Sequence, residues 1–300
     1  MYKAFPPGLR QLQVPLSSRR AARAGLALYS PCRLRGILLQ RAAWVGVGIL
    51  GSFGLPGRRR ALEPPLDEGA WASLLQAWSA EIGSFDDVAL YVRTQRSRKG
   101  FIALALDAGR PVAFLKSRPS GDPDLASERA AVEAVTQAGP ALFHVPPVLA
   151  EVTCAGWTTL AFRPLPPSPH RPLRRAPAEM IAGEIASSLN ALKRSSEVPS
   201  HWVPCHGDLT PWNLRRLPDG RVSLVDWEDA GWAPPDSDLV LYRATASAVL
   251  GEHPGNTSSL EAVDYWSAKL SGRVSEGHRD RALRLATLEA LQRMAPTAAG

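Results

Sequence analysis

Cysteine is scarce in this chain. Its 300 residues contain three cysteines, Cys32, Cys154 and Cys205, which lie far apart in the sequence. An odd and sparse set of this kind does not form the disulfide framework of a small secreted domain. The sequence therefore predicts a protein of a reducing compartment, the cytoplasm.

Paired metal-binding spacings are also missing. His201, Cys205, His206 and Asp208 lie within eight residues, but they form neither a Cys-x-x-Cys nor a His-x-x-x-His pair. This spacing argues against a structural zinc site. We interpret Cys205 as a small buried apolar residue rather than as a reactive thiol.

Acidic residues are absent from the first 60 positions, which hold eleven lysine and arginine residues. The whole chain has a formal charge of +7, so residues 61–300 carry the difference, −4. The basic character thus belongs to the start of the chain. Zinc-finger spacings, RNP motifs and basic stripes interleaved with aromatic residues are missing from the rest, which argues against nucleic-acid binding.

Long hydrophobic runs are scarce as well. The uncharged stretch Ala42–Gly57 has sixteen residues, five of them glycine. It is short for a membrane span and lies too far into the chain for a secretory signal. We interpret residues 1–60 as a basic N-terminal extension, a helical segment packed on the first lobe with its arginines in water. The alternatives are peripheral membrane contact through an arginine-rich amphipathic helix at 18–39, and a transit peptide.

Two motifs stand out against these absences. Residues 206–213 spell H-G-D-L-T-P-W-N, and eleven residues after Asn213 begins L-V-D-W-E, residues 224–228. The intervening L-P-D-G-R is typical of a hairpin turn, which would bring Asp226 close to Asn213. Two acids and an amide in this spacing suit an enzyme that orients a hydroxyl group and holds Mg²⁺ against the phosphates of ATP.

Together the two motifs resemble the catalytic and metal-binding segments of the aminoglycoside phosphotransferase and choline kinase family, the small-molecule branch of the protein-kinase-like fold. The resemblance implies that Asp208 accepts the proton of the attacking hydroxyl and that Asn213 and Asp226 bind Mg²⁺. It gives His206 a structural role in the loop. Trp227 stands where protein kinases have the Phe of D-F-G, a departure that suits this branch.

The resemblance extends more loosely to both sides. It implies that Lys116, at the end of an apolar strand, contacts the α- and β-phosphates, and that Glu128 in the next helix orients it; Glu133 is the alternative. The basic connection 93–100 would lie over the phosphates or be an ordinary solvated hairpin. Asp238 corresponds to the acid that braces the catalytic loop, or it caps a helix.

Apolar spacing predicts the remaining elements. Strands are expected at 88–92, 101–106, 111–116, 145–150, 158–162 and 222–225, and helices at 61–82, 125–135, 177–193, 239–250, 258–270 and 279–294. The resemblance implies an α+β class with a protein-kinase-like, two-lobed fold. The N-lobe, with a small antiparallel sheet, is expected at 61–164, and a mainly helical C-lobe with the catalytic and metal-binding loops at 165–300. A proline-rich hinge follows the last strand of the N-lobe.

The predicted function is ATP- and Mg²⁺-dependent transfer of the γ-phosphoryl group to a hydroxyl of a small molecule such as a sugar, an aminoglycoside or an amino alcohol. Two alternatives stay open. One is a non-catalytic nucleotide-binding protein on the same fold. The other is a membrane-surface kinase that acts on a glycolipid or polysaccharide precursor, which would give the basic residues 1–60 a purpose. The sequence does not identify the acceptor.

Overall fold

The computed structural model describes residues 1–6, 11–92, 99–173, 176–273 and 278–295. The chain forms two compact units. The first comprises Met1–Leu125 and Pro146–Arg171, and the second comprises the rest of the described chain. These units do not follow the expected boundaries at residues 60 and 164.

A seven-stranded sheet, antiparallel throughout, forms the centre of the first unit, with the strand order β1-β2-β3-β4-β5-β7-β6. The strands are β1 Tyr2–Phe5, β2 Leu12–Pro15, β3 Asp87–Val92, β4 Phe101–Asp107, β5 Arg110–Pro119, β6 Val148–Cys154 and β7 Trp157–Phe162. The helices are α1 Arg19–Leu26, α2 Leu34–Leu50 and α3 Glu68–Ile82, with a short 3-10 turn at Gly51–Gly54.

Both faces of this sheet are covered, because alternate residues of its strands pack on different helices. Trp71 and Trp78 of α3 pack on one face, where they meet Leu90 and Phe101. On the opposite face, Ala21 and Ala24 of α1 pack against Ala89, Leu104 and Leu106. The central strands therefore have apolar residues at both odd and even positions, as a doubly covered sheet requires.

The first 60 residues differ from the expected helical extension. Strand β2 pairs with β3, and β1 pairs with β2, so this segment adds two strands to the edge of the sheet. The alternative of one amphipathic helix at 18–39 is also wrong. The chain forms two helices, α1 and α2, separated by residues 27–33, where Pro31 lacks the amide that a continuous helix needs.

The second unit is mainly helical. Its helices are α5 Ala178–Ser188, α6 Ser237–Leu250, α7 Leu260–Ser271 and α8 His278–Met294, and it also holds most of α4, Pro123–Ala138. Its short strands are β9 Val203–Cys205, β10 Leu214–Arg216, β11 Val222–Leu224 and β12 Gly231–Ala233; β8, Arg171–Pro172, lies where the units divide. Helices α6, α7 and α8 share an apolar core that includes Leu241, Trp266 and Leu291.

The expected α+β class is confirmed, with an antiparallel sheet in the first unit and a mainly helical second unit. The predicted elements are also present, with shifted ends. Helix α3, for example, begins at Glu68 rather than at residue 61, because the carboxylate of Asp67 accepts a hydrogen bond from the Ala70 amide and caps the helix there. The predicted hairpin at 217–221 joins β10 to β11.

Candidate active site

The candidate catalytic loop follows strand β9 directly. Cys205 ends the strand and is buried, and burial raises the pKa of its thiol. This places Cys205 among the small apolar residues of the interior, as expected. Gly207 comes two residues later and has a φ of +75°, a backbone conformation that suits glycine. The chain thus turns sharply before it reaches Asp208.

Asp238 braces this turn. It lies in the first turn of α6 and is buried. Its Oδ2 accepts a hydrogen bond from the His206 amide at 2.7 Å, and its Oδ1 accepts one from the Gly207 amide at 3.1 Å. Burial raises the pKa of Asp238 to about 6, although these two hydrogen bonds act in the opposite direction. The N-cap position of α6 belongs to Asp236, so the capping alternative for Asp238 is wrong.

His206 ties the candidate catalytic loop to the segment that carries Asp226. Its Nδ1 accepts a hydrogen bond from the Asp208 amide at 3.2 Å, and its Nε2 lies 3.3 Å from the carbonyl oxygen of Val225. Since Nδ1 accepts, the proton of the neutral ring resides on Nε2, which donates to Val225. The ring also packs on buried Trp227, with 4.5 Å between centroids. These contacts agree with the structural role that the resemblance implies.

Asn213 contacts Asp208 directly. Its amide nitrogen donates to the main-chain carbonyl of Asp208 at 2.9 Å and to Oδ2 of the same residue at 2.8 Å. Asn213 is buried and Asp208 is half-buried. These two hydrogen bonds fix the orientation of the Asp208 carboxylate. They also engage the side-chain nitrogen of Asn213 with Asp208. The amide oxygen is the atom of this side chain that suits a hard cation.

Asp226 follows the hairpin strand β11. Leu214 pairs with Leu224, and the Val225 amide donates to the carbonyl of Asn213 at 3.2 Å. Val225 thus lies opposite Asn213 at the open end of the hairpin, and Asp226 is the residue that follows it. Its φ is +70°, which is uncommon for a residue other than glycine and occurs often at functional sites. Within the described ranges, no group of three or more His, Cys, Asp or Glu side chains is placed to hold a metal.

The two residues assigned to phosphate binding lie in different units. Lys116 is buried on β5, where its neighbours across the sheet are Ile102 and Leu160. A fully buried lysine is rare unless it is paired. Glu128 is buried on α4, in the second unit. Glu133 is exposed and forms an ion pair with Arg129 at 2.7 Å, so Glu128 is the better choice of the two.

The expected phosphate loop at 93–100 includes residues 93–98, which lie outside the described part of the chain. The proline-rich segment expected as a hinge, 163–167, follows β7 without regular structure. In it, the Arg163 amide donates to the carbonyl of Pro147 at 2.9 Å.

The segment that carries both motifs is similar to a known family. Residues 194–254 match the phosphotransferase enzyme family. The matched segment contains both motifs, together with Asp238. The resemblance drawn from residues 206–228 is therefore confirmed. A comparison with curated proteins finds no match.

Solved structures of several small-molecule kinases are similar to this chain. One is the aminoglycoside phosphotransferase APH(3'')-Id from Streptomyces rimosus in complex with ADP and streptomycin: 20% identity, 75% of this chain and 98% of that chain covered, TM-score 0.40. Another is the amicoumacin kinase hAmiN in complex with AMP-PNP, Ca²⁺ and Ami: 11% identity, 76% and 78% covered, TM-score 0.42. A third is the GDP complex of aminoglycoside 2'-phosphotransferase-IIIa: 13% identity, 76% and 98% covered, TM-score 0.44.

One buried charged residue near Lys116 was not predicted from the sequence. Arg118 lies two positions further along β5 and is buried. Its guanidinium forms ion pairs with Asp122 at 3.4 Å and with Asp124 at 3.1 Å. These contacts fix the passage from β5 into α4. The two acids four and six residues after the arginine could have indicated these ion pairs. A run of charges before a helix usually lies in solvent, however, so the pattern did not predict a buried arginine.

Proposed function

We propose that this protein is a phosphotransferase that uses ATP and Mg²⁺ and transfers the γ-phosphoryl group to a hydroxyl of a small molecule. The observation that carries the proposal is the contact between Asn213 and Asp208, in which one amide fixes a carboxylate at 2.8 Å. Phosphoryl transfer asks for this kind of positioning rather than for covalent chemistry by the protein. The family match over residues 194–254 supports the same conclusion.

Asp208 is the proposed base. Its Oδ2 is held by Asn213, and its amide is held by His206. The carboxylate accepts the proton of the acceptor hydroxyl as the oxygen forms its bond to the γ-phosphorus. The bond between that phosphorus and the bridging oxygen breaks, and ADP leaves with the electron pair. Because its surroundings fix the carboxylate beforehand, little reorganisation is needed during the reaction.

The residues present fit Mg²⁺. The amide oxygen of Asn213 and the carboxylate of Asp226 are hard oxygen ligands. They are supplied by the two chain segments that meet at the open end of the β10–β11 hairpin. Two protein ligands suit an ion that keeps waters and binds phosphate oxygens, whereas a cage of three or more acids is not required. When bound, the ion would offset the negative charge of the β- and γ-phosphates.

Lys116 is the proposed phosphate ligand and Glu128 the residue that orients it. The support is their burial: each is 3% exposed. Side chains of this kind are almost never fully buried without a role that compensates their desolvation. A surface role, the commoner fate of a lysine, does not agree with this burial.

The test is a screen for ADP release with purified protein, ATP and Mg²⁺ over aminoglycosides, sugars, amino alcohols, nucleosides and a lipid-linked sugar. At least one class should raise ADP release above the background with water. Asp208→Asn should abolish this increase and retain binding of a non-hydrolysable ATP analogue in calorimetry. Asp226→Ala should weaken the dependence of nucleotide binding on Mg²⁺.

Two results would contradict the proposal. One is an Asp208→Asn variant that turns over as fast as the wild-type protein. The other is a wild-type protein that binds nucleotide equally well with and without Mg²⁺ and that turns over none of the acceptors. The second outcome favours the non-catalytic alternative.

A further inference from the structure

Helix α2 is apolar on both of its faces, and one of them is exposed. Leu34, Leu38, Val45, Ile49 and Phe53 are 61%, 57%, 52%, 67% and 83% exposed. The spacing of four, seven and four residues places the first four along one side of α2, and Phe53 lies in the 3-10 turn that follows the helix. An exposed apolar strip of this length, with Arg41 beside its middle, marks an interaction site.

The other face of α2 is firmly packed in the first unit. Ala43 and Val47 are buried in a cluster with Ala22 and Leu26 of α1. Gln40 is buried too, and its amide donates to the carbonyl of Leu26 at 2.9 Å. Helix α1 in turn packs on the sheet. The exposed strip is therefore the outer surface of a helix that the fold already holds in place.

Arginines surround the strip at both ends. Arg33 and Arg35 lie at the start of α2 and are exposed. At the other end, Arg19 of α1 reaches the carbonyl of Gly48, and Arg59 donates to Ser52 at 2.8 Å, with its guanidinium 5.8 Å from the ring of Phe53. The first 60 residues contribute eleven positive charges and no negative ones.

We propose that α2 and the turn after it form a docking surface for an anionic phospholipid bilayer, on which the helix lies in the plane of the membrane. An apolar strip bordered by arginines is the pattern of interfacial helices, whose apolar side enters the acyl boundary while the cations remain among the headgroups. The positive border selects a negatively charged surface. This inference does not depend on the proposed phosphoryl transfer.

By length and composition alone, the segment Leu34–Gly54 is also long and apolar enough to cross a membrane. Three observations favour the in-plane arrangement. Seventeen helical residues are about 25 Å long, whereas the hydrocarbon core is about 30 Å thick. Arg41 lies near the middle of the helix. A spanning helix would also have to abandon its contacts with Ala22 and Leu26.

The turn after α2 supports this choice. A Cβ added to Gly54 would lie 2.1 Å from the carbonyl carbon and oxygen of Gly46. The backbone of the turn thus folds back against the helix at a distance that only glycine permits. This close approach brings the turn that carries Phe53 back to the level of Gly46 in α2, and Arg59 lies beside the Phe53 ring.

The experiment is flotation of the full-length protein with two kinds of vesicle, phosphatidylcholine alone and phosphatidylcholine with about one third phosphatidylglycerol. We expect at least tenfold stronger binding to the anionic vesicles, and a loss of binding at high salt because exposed charges are screened. The triple variant Leu38→Gln/Ile49→Gln/Phe53→Gln should bind at least tenfold more weakly.

The matched control is Met180→Gln/Leu260→Gln/Leu285→Gln, which changes three exposed apolar residues elsewhere (61%, 48% and 45% exposed). It should bind as the wild-type protein does. The variant Arg58→Gln/Arg59→Gln should lower binding to anionic vesicles only. Since all these positions are exposed, circular dichroism should show unchanged folding.

Several outcomes would overturn the inference. One is a wild-type protein that binds neither vesicle, and another is a triple variant that binds as well as its control. Resistance of the bound protein to alkaline carbonate extraction would show a spanning helix instead. A dimer in light scattering that the triple variant converts to monomer, without vesicle binding by either form, would assign the strip to a second copy of this chain.

Discussion

The backbone of Gly207 lies against that of Asp229 so closely that a Cβ at position 207 would be 1.9 Å from the Asp229 carbonyl oxygen. Gly207 also has a φ of +75°. Two separate constraints therefore require glycine between His206 and Asp208. One is backbone conformation, and the other is the space beside the segment that follows Asp226.

Replacing Gly207 with alanine should remove activity. The new methyl group would push the catalytic loop away from Asp229, and the free energy of unfolding should fall by about 3 kcal/mol or more. Gly220→Ala is the matched control, because Gly220 also has a positive φ, +88°, but a Cβ there meets nothing within 4 Å. It should cost about 1 kcal/mol from backbone strain. Urea denaturation and ADP release measure both; equal losses would contradict the steric argument.

Asn213→Ala should lower kcat on the order of 100-fold, as removal of one positioning hydrogen bond does in preorganised sites. The loss of the amide frees the carboxylate of Asp208 to rotate and removes a proposed ligand of Mg²⁺. The control is Asn190→Ala, which changes an exposed asparagine and should keep full activity. A wild-type kcat in Asn213→Ala at saturating ATP and acceptor would remove this residue from the site.

Much of this site could be predicted from the sequence, because its parts lie close together along the chain. The loop with Asp208 and Asn213 precedes the hairpin that returns to Asp226, and each step is local: a turn, a strand, a second strand. The pattern P-D-G specified the hairpin, and the hairpin register specified which residues meet. Local patterns of this kind depend little on distant parts of the chain.

Other features depended on distant pairing. Strands β1 and β2 have four residues each, so their own periodicity was too short to distinguish them. Strand β1 pairs with β2, and β2 reaches the rest of the sheet only through β3, more than 70 residues later. The pairing of Gly231 with Cys205 was missed for the same reason. The arginines of residues 1–60 suggested a helical extension packed on the first lobe, but they gave no sign of the two strands, β1 and β2, or of the alanines of α1 that pack on the sheet.

Acidic conditions should act on activity and stability in opposite directions through Asp238. Its pKa is raised to about 6, above the value of about 3.9 for an unfolded chain. The folded state therefore binds this proton more readily than the unfolded state does. As a consequence, the contribution of Asp238 to the free energy of unfolding grows as the pH falls from about 6 to about 4, and it is lost as the pH rises through about 6. The protonated carboxyl, however, is a weaker acceptor for the amides of His206 and Gly207, so activity should fall below about pH 6.

The control for this prediction is Asp238→Asn, which cannot titrate. Its free energy of unfolding should be lower than that of the wild-type protein at pH 7, by about 2 kcal/mol, because an amide group would face two N–H donors. The gap should widen as the pH falls toward 4. Parallel pH profiles of the two proteins, in denaturation and in ADP release, would contradict the assignment.

A buried hydroxyl pair connects α3 to the strand of Lys116 in the first unit. Thr159 accepts a hydrogen bond from Nε1 of Trp78 at 3.0 Å, and its hydroxyl lies 2.8 Å from that of Ser117. Thr159→Val should lower the free energy of unfolding by about 2 kcal/mol, since the indole N–H stays buried without its acceptor. The neighbouring Thr158, only half-buried, serves as the control, and Thr158→Val should change stability by less than about 0.5 kcal/mol. Because valine suits a strand as well as threonine does, equal effects at both positions would show that the cost arises from strand propensity and not from the lost acceptor.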